Sequence, residues 1–196
     1  MKLLIILNGE CNDYEYLKSF SNKFDFIYCA DGGYRHALKA GIEPDVVLGD
    51  FDSAEKPEGI QTLVFPAEKD ETDTEIAIRY AKENGFEDIT LTCALGGRSD
   101  HMLANILMLS RFASVKIEEK DCIIEFLTGN KILEGLKGYT VSLIPVEKSF
   151  VELSGFKYSL NDVIDIGTTL TVSNIVTADN AGIKIEYGRI ILIITK

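Results

Sequence analysis

Histidine is scarce in this chain: His36 and His101 are the only two in 196 residues. A metal site built from several imidazoles is therefore excluded. The four cysteines, Cys11, Cys29, Cys93 and Cys122, are scattered, and no Cys-x-x-Cys pair occurs. That pattern argues against zinc ligation and against a disulfide frame; all four read as reduced thiols in or near a core. Basic residues are outnumbered, 20 against 31 acidic ones, for a net charge of −11. Phosphate backbones are bound by basic surfaces, so no nucleic-acid partner is expected. No apolar run is long enough to span a membrane. The opening "MKLLIILNGE" has only residues 3–7 apolar in succession, too short a run for a signal peptide. A cytoplasmic protein with no membrane partner is expected. There is no internal repeat, no low-complexity tract and no Gly-x-x-x-x-Gly-Lys-Ser/Thr, so a P-loop is excluded.

What is present falls into two rhythms. Up to residue 112, apolar runs alternate with helical patterns. The strand-like runs are 2–7, 24–30, 45–49, 60–65 and 88–95; the helical segments are 13–20, 34–41, 72–85 and 100–112. Asn12 with Glu15, and Thr72 with Glu75, have the spacing of capping pairs, and Gly41 and Gly85 supply stops. Continuous apolar strands separated by helices predict a parallel sheet covered on both faces. From about Val115 the segments become short and rich in β-branched residues: "VKIEE", "CIIEFLT", "KILEGL", "YTVSLIPV", "SFVELS", "TLTVSN" and a C-terminal hairpin around Tyr187-Gly188. The expected fold is α/β: a Rossmann-like, mostly parallel sheet in a domain of residues 1–120, then an antiparallel β-sandwich domain of residues 121–196. No flexible linker separates the halves, so they are expected to pack together.

The stretch "PDVVLGDFDS" ends a buried strand in two carboxylates one residue apart, Asp50 and Asp52, which an extended backbone points to the same side. Other strands end alike. After 24–30 come Asp31, Gly32 and Gly33; after 60–65 come Lys69, Asp70, Thr72 and Asp73; after 88–95 come Gly96, Gly97, Arg98, Asp100 and His101. Ligands of open parallel sheets bind outside the carboxyl ends of the strands. Four carboxylates about 6 Å apart would repel by roughly 3 kcal/mol per pair at an effective dielectric near 20. A divalent cation removes that conflict, and oxygen ligands suit Mg²⁺ with substrate phosphates. Gly-Gly turns let backbone N–H groups approach phosphate, and Arg98 and Lys69 neutralise more charge. The residues thus point to a Mg²⁺-nucleotide or phosphoryl-transfer site. Asp100 and His101 serve equally as helix-start residues, and Asn105, one turn on, bonds either a neighbouring loop or the ligand.

The segments "ADGGYRHALKAGIEPDVVLGDFDS", "KDETDTEIAIRYA" and "GGRSDHMLANILML", in this order and spacing, resemble the thiamine pyrophosphokinase family, over roughly residues 2–112. The resemblance implies transfer of the β,γ-diphosphate of ATP to the hydroxyethyl oxygen of thiamine, with release of AMP, by a homodimer with shared sites. It implies Asp50, Asp52 and Asp73 as metal ligands, and these three with Asp100 and Arg98 as catalytic residues. Asp31, Gly32, Lys69, Asp70, Thr72, Arg98 and Asn105 become nucleotide-binding or site-shaping residues. "GFKYSL" and "GTTLTVSN" are similar to segments that meet thiamine, which implies Tyr158, Ser173 and Asn174. Either Asp100 or Asp73 is implied as acceptor of the hydroxyl proton. Two other functions share the pattern in part: a metal-dependent sugar-nucleotide transferase, which accounts for Asp50 and Asp52 alone, and a non-catalytic thiamine or nucleotide sensor, which predicts the loss of an acidic position.

Overall fold

The computed structural model describes residues 1–50, 59–66, 70–112 and 114–196. It divides into two compact units, Met1–Lys120 and Asp121–Lys196.

The first unit is built on six strands: β1 (Lys2–Ile6), β2 (Phe26–Ala30), β3 (Val46–Gly49), β4 (Gln61–Val64), β5 (Asp88–Thr92) and β6 (Val115–Glu118). They lie in the order β4-β3-β2-β1-β5-β6, and every neighbouring pair is parallel. Among the described residues, the helices between them are α1 (Tyr14–Ser21), α2 (Gly33–Ala40), α3 (Asp73–Glu83) and α4 (Ser99–Met108). Strand alternation fixes which helix meets which face. Leu4, Ile6 and Cys29 share a core with Leu17 and Phe20 of α1 and Ala37 and Ala40 of α2. Tyr28 points the other way, and its ring lies 5.9 Å from that of Tyr80 on α3. With helices on both faces, β1 and β5 are buried at every position after the first, as the continuous apolar runs predict. Each such aliphatic side chain contributes about 1.5–3 kcal/mol of transfer free energy.

The second unit holds two antiparallel four-stranded sheets. One runs β12 (Asn174–Ile175), β9 (Thr140–Pro145), β14 (Ile190–Thr195), β7 (Cys122–Leu127). The other runs β11 (Leu160–Ile164), β10 (Ser149–Ser154), β13 (Asn180–Tyr187), β8 (Lys131–Glu134). Inward residues from both sheets, among them Val151, Leu153 and Ile183 from one and Val141, Leu143 and Leu192 from the other, form a single core.

Several local expectations are corrected. The α1 cap is Asp13, whose carboxylate accepts the Tyr16 N–H at 2.9 Å, one residue beyond the expected Asn12. Segment 115–118, whose β-branched content matches the antiparallel half, pairs in parallel with β5; composition marks a strand but not its partner. "TLTVSN" is not a strand: a turn bond from Val172 N–H to Thr169 O occupies it, and only Asn174 joins β12. The C-terminal hairpin is absent. Gly188, at φ 97°, reverses the chain, but β13 pairs with β10 and β8 while β14 pairs with β7 and β9. The turn signal is real, yet the chain changes sheets there. A Cβ on Gly188 would sit 2.6 Å from the Ser149 Cα, so the crossing requires glycine. The four cysteines are free thiols, with Cys29 and Cys93 buried. Among the described residues, no helix is long and apolar enough to cross a membrane.

Candidate active site in the first unit

The strand order reverses direction between β1 and β5: the chain steps outward from β1 through β2 to β4, then returns beside β1 as β5. Loops leaving those two strands diverge to opposite sides and open a crevice at the carboxyl edge. A cleft of about 520 Å³ lies there, and its walls come from the ends of β1, β2, β3 and β5 and the starts of α3 and α4.

Asp31 follows β2 in a left-handed conformation, φ 51°, and its N–H donates to Leu48 O on β3 at 2.8 Å. Asn8 Nδ2 donates to Asp31 Oδ2 at 2.9 Å, tying the β1 and β2 exits together. Gly32 and Gly33 then start α2 hard against β1; a Cβ on Gly33 would lie 2.0 Å from Ile6 O. Gly33 is therefore needed for close packing, and Gly32 is buried and does not line the cleft. Asp50 lines the cleft at the end of β3. Asp52 and Lys69 lie outside the described residues.

The start of α3 presents Thr72, Asp73 and Thr74 to the cleft. Thr72 caps the helix, its hydroxyl accepting the Glu75 N–H at 3.2 Å. The N–H groups and the dipole of a helix start favour anions. Glu71, also on the wall, is ion-paired with Arg79. Asp70 is exposed and is not part of the lining.

From the β5 side come Ala94, Gly96, Gly97, Arg98, His101, Met102 and Asn105. Asn105 is buried, and its Nδ2 donates to Ala94 O at 3.1 Å, so the loop bond is made. Arg98 grips Asp100 with two bonds, Nε to Oδ1 at 3.2 Å and Nη2 to Oδ2 at 2.7 Å. The guanidinium, aided by the His101 N–H, holds the Asp100 carboxyl down at about 2. Asp100 itself does not line the cleft.

The structure thus brings Asp31, Asp50, Thr72, Asp73, Arg98 and Asn105 to one cleft. Among the described residues, no group of three or more His, Cys, Asp or Glu side chains gathers tightly enough to cage an ion unaided. Asn8 and Gly9 were missed by the sequence reading. The signal was available: "LLIILNG" is a strand ending like the others, and β1 is the strand beside the crevice.

In the second unit, Tyr158 is 60% exposed, and its backbone is clamped by the buried Asn174. Asn174 Oδ1 accepts the Tyr158 N–H at 3.0 Å, and Asn174 Nδ2 donates to Tyr158 O at 2.7 Å. Ser173 sits at φ 59° and donates its N–H to Ser142 Oγ at 2.9 Å. The Lys157 ammonium lies over the Tyr158 ring, 5.3 Å from its centroid.

A parallel sheet with an acidic cleft at its strand ends defines the class: an α/β protein with a cavity at the carboxyl edge of its sheet. Comparison with known proteins makes the class specific. Residues 17–120 match the family model "Thiamin pyrophosphokinase, catalytic domain", and residues 128–192 match "Thiamin pyrophosphokinase, vitamin B1 binding domain". Thiamine pyrophosphokinase of Bacillus subtilis is 31% identical over 206 residues, covering 96% of each chain. The crystal structure of the Bacillus subtilis thiamine pyrophosphokinase superposes with a TM-score of 0.88 at 26% identity, over 100% of this chain and 99% of that one. That from Geobacillus thermodenitrificans gives 0.85 at 28%, over 100% and 98%. The chain belongs to the thiamin pyrophosphokinase family, a family of diphosphotransferase enzymes.

Proposed function

We propose that the chain transfers the diphosphate of ATP to the hydroxyl of thiamine, giving thiamine diphosphate and AMP, with Mg²⁺. The observation that carries this reading is the convergence of Asp50, Thr72, Asp73, Arg98 and Asn105 on one cleft within the half matched by the catalytic model. In this reading the first unit is a Rossmann-like Mg²⁺-ATP domain, and the second is a β-sandwich that takes thiamine.

The donor set fits Mg²⁺. The described acidic groups on the cleft wall are carboxylates, joined by the Thr72 hydroxyl and the Asn8 and Asn105 amides, with no thiol among them. Mg²⁺ takes one or two carboxylates and fills its octahedron with waters and substrate phosphates, so a tight protein cage is not required. Asp50, Asp52 and Asp73 would hold it. When bound, it neutralises phosphate charge and polarises the bond that breaks. The protein's own part is positioning and charge. The α3 start and the Gly96-Gly97 backbone face the phosphates, and Arg98 meets the charge that develops on them. Asp100 is held in its ion pair with Arg98 and stands outside the cleft lining. Of the two candidates only Asp73 lines the cleft, and its carboxylate oxygen left free of the metal would take the thiamine hydroxyl proton.

Tyr158 offers a flat face for the cationic thiazolium ring. Asn174, with its amide already bonded to the Tyr158 backbone, holds that face in place, and Ser173 remains the candidate for a direct polar contact. We further propose a homodimer with shared sites, in the cytoplasm. Apolar side chains left exposed support the dimer: Leu103 and Leu107 of α4 at 56% and 45%, and Ile166 and Leu170 of the second unit at 68% and 66%.

The test is product analysis after incubation with ATP, Mg²⁺ and thiamine. Equal amounts of AMP and thiamine diphosphate are expected. ADP with thiamine monophosphate would refute the diphosphate transfer, and binding of both substrates without turnover would favour the sensor.

A further inference from the structure

Glu119, the residue after β6, carries a partly buried carboxylate outside the cleft lining. Its surroundings are unlike those of the surface acids. Thr92 Oγ1 donates to its Oε2 at 3.2 Å, the Cys93 N–H to Oε2 at 3.2 Å, and the Ala94 N–H to Oε1 at 2.8 Å. Burial pushes the carboxyl pKa up, and these donors push it back by stabilising the charged form. One carboxylate thus collects the Thr92 hydroxyl and the N–H groups of two successive residues at the β5 exit.

The carbonyls of the same residues face the other way. Cys93 O accepts the Gly9 N–H at 2.7 Å, and Leu95 O accepts the Glu10 N–H at 2.8 Å. Ala94 O accepts from Asn105 Nδ2 at 3.1 Å. The exit is strained: Cys93 is a non-glycine residue at φ 52°. Such a conformation persists when surrounding bonds over-determine it. The bonds that do so run from Glu119 on one side to Gly9, Glu10 and Asn105 on the other. Gly9, Ala94 and Asn105 line the cleft.

We propose that Glu119 is a positioning residue for the nucleotide end of the reaction: its partly buried carboxylate fixes the β5 exit so that Gly9, Ala94 and Asn105 hold their places around the phosphates. The inference rests on the functional reading above, because it takes the cleft as the nucleotide site. Glu119 touches no substrate. It acts through the loop, as outer-layer carboxylates do when they orient groups that make direct contact.

The experiment compares wild type with Glu119→Gln, Glu119→Asp and Thr92→Val in two measurements. Thr92→Val keeps the buried shape of a strand residue and removes one donor to Glu119. Steady-state kinetics with both substrates is the first. In Glu119→Gln, kcat/KM for ATP is expected to fall about tenfold or more, as for loss of a charge-assisted hydrogen bond, with the KM for thiamine within about twofold. Glu119→Asp restores part of it, and Thr92→Val shows a smaller loss of the same kind. The second is amide exchange of Cys93 and Ala94 by NMR without any substrate, expected to quicken in Thr92→Val. Unchanged ATP kinetics, or equal changes at both substrates, would overturn the proposal. If Glu119→Gln does not fold, Thr92→Val decides it: exchange and ATP kinetics both at wild-type values refute the clamp. A wild-type protein that makes no thiamine diphosphate refutes the functional reading instead, and the exchange measurement still decides whether Glu119 holds the loop.

Discussion

The two units bury their strands differently, and the difference shows where each leaves room for polar side chains. In the first unit, β1, β3 and β5 are buried almost throughout, since helices cover both faces. In the second, β9 and β10 alternate between buried and partly exposed positions, because each sheet covers the core with one face only. The open faces of the second unit are occupied by ordinary surface pairs, such as Lys184 with Glu152 and Glu186. Pairs like these are worth about 0–1 kcal/mol. A sheet covered on both faces has only its strand ends left to meet a ligand. Polar residues that the first unit cannot place on its faces collect there, and Asn8, Asp31, Asp50 and Arg98 share one cleft.

The comparison breaks most sharply at Asp50. Asp50→Asn removes one unit of charge from the acidic wall without changing shape. Activity should fall by about two to three orders of magnitude, as when a group that stabilises the transition state is removed, while the melting temperature stays near that of wild type. Asp52→Asn should behave in the same way. Normal turnover with Mg²⁺ in both variants would dissolve the metal site. The next effect is on stability. Mg²⁺ with ATP should stabilise the protein by about 2.7 kcal/mol at a hundredfold excess over its dissociation constant, and EDTA should abolish the gain. Equal stabilisation by ATP without metal would count against carboxylate-held Mg²⁺.

A smaller effect tests the second unit. Tyr158→Ala should raise the KM for thiamine about tenfold, the order of a lost cation–π contact, and leave the KM for ATP alone. A thiamine KM unchanged by the substitution removes Tyr158 from the site. The smallest effect concerns Asp100. Its folded pKa lies below its ordinary value, so the Arg98 pair contributes stability that is present above about pH 4 and lost as pH falls through about 2. Both side chains are well exposed, which screens the effect. Urea midpoints measured across that range should fall slightly more for wild type than for Asp100→Asn. Parallel slopes would show the pair to be energetically silent.

Much of the first unit was legible in the sequence because its signals are local. Thr72 and Gly41 end helices by bonds to near neighbours, and an apolar run between helices has one common use. Pairing partners were not legible. Val115–Glu118 reads as a strand in any sheet, and the turn at Gly188 does not say whether the strands it joins pair with each other. The cleft residues that follow strands were found by asking what ends each run. Asn8 carries no charge, so a search of strand ends for carboxylates and cations passes over it. Glu119 lies in "KIEEKD", a charge-rich stretch that looks solvated, and only the fold reveals that one of its acids turns inward. Asn174 was found, but its amide serves the Tyr158 backbone, a use that spacing alone does not announce.

The central claim is that the carboxyl edge of the parallel sheet binds the nucleotide. Amide hydrogen exchange, read at peptide level with and without Mg²⁺ and a non-hydrolysable ATP analogue, tests it most directly. Protection is predicted on peptides carrying Asn8 and Gly9, Asp31, Thr72 to Thr74, and Ala94 to Asn105. Protection confined to residues 121–196, with the strand ends of the first unit unchanged, would contradict it.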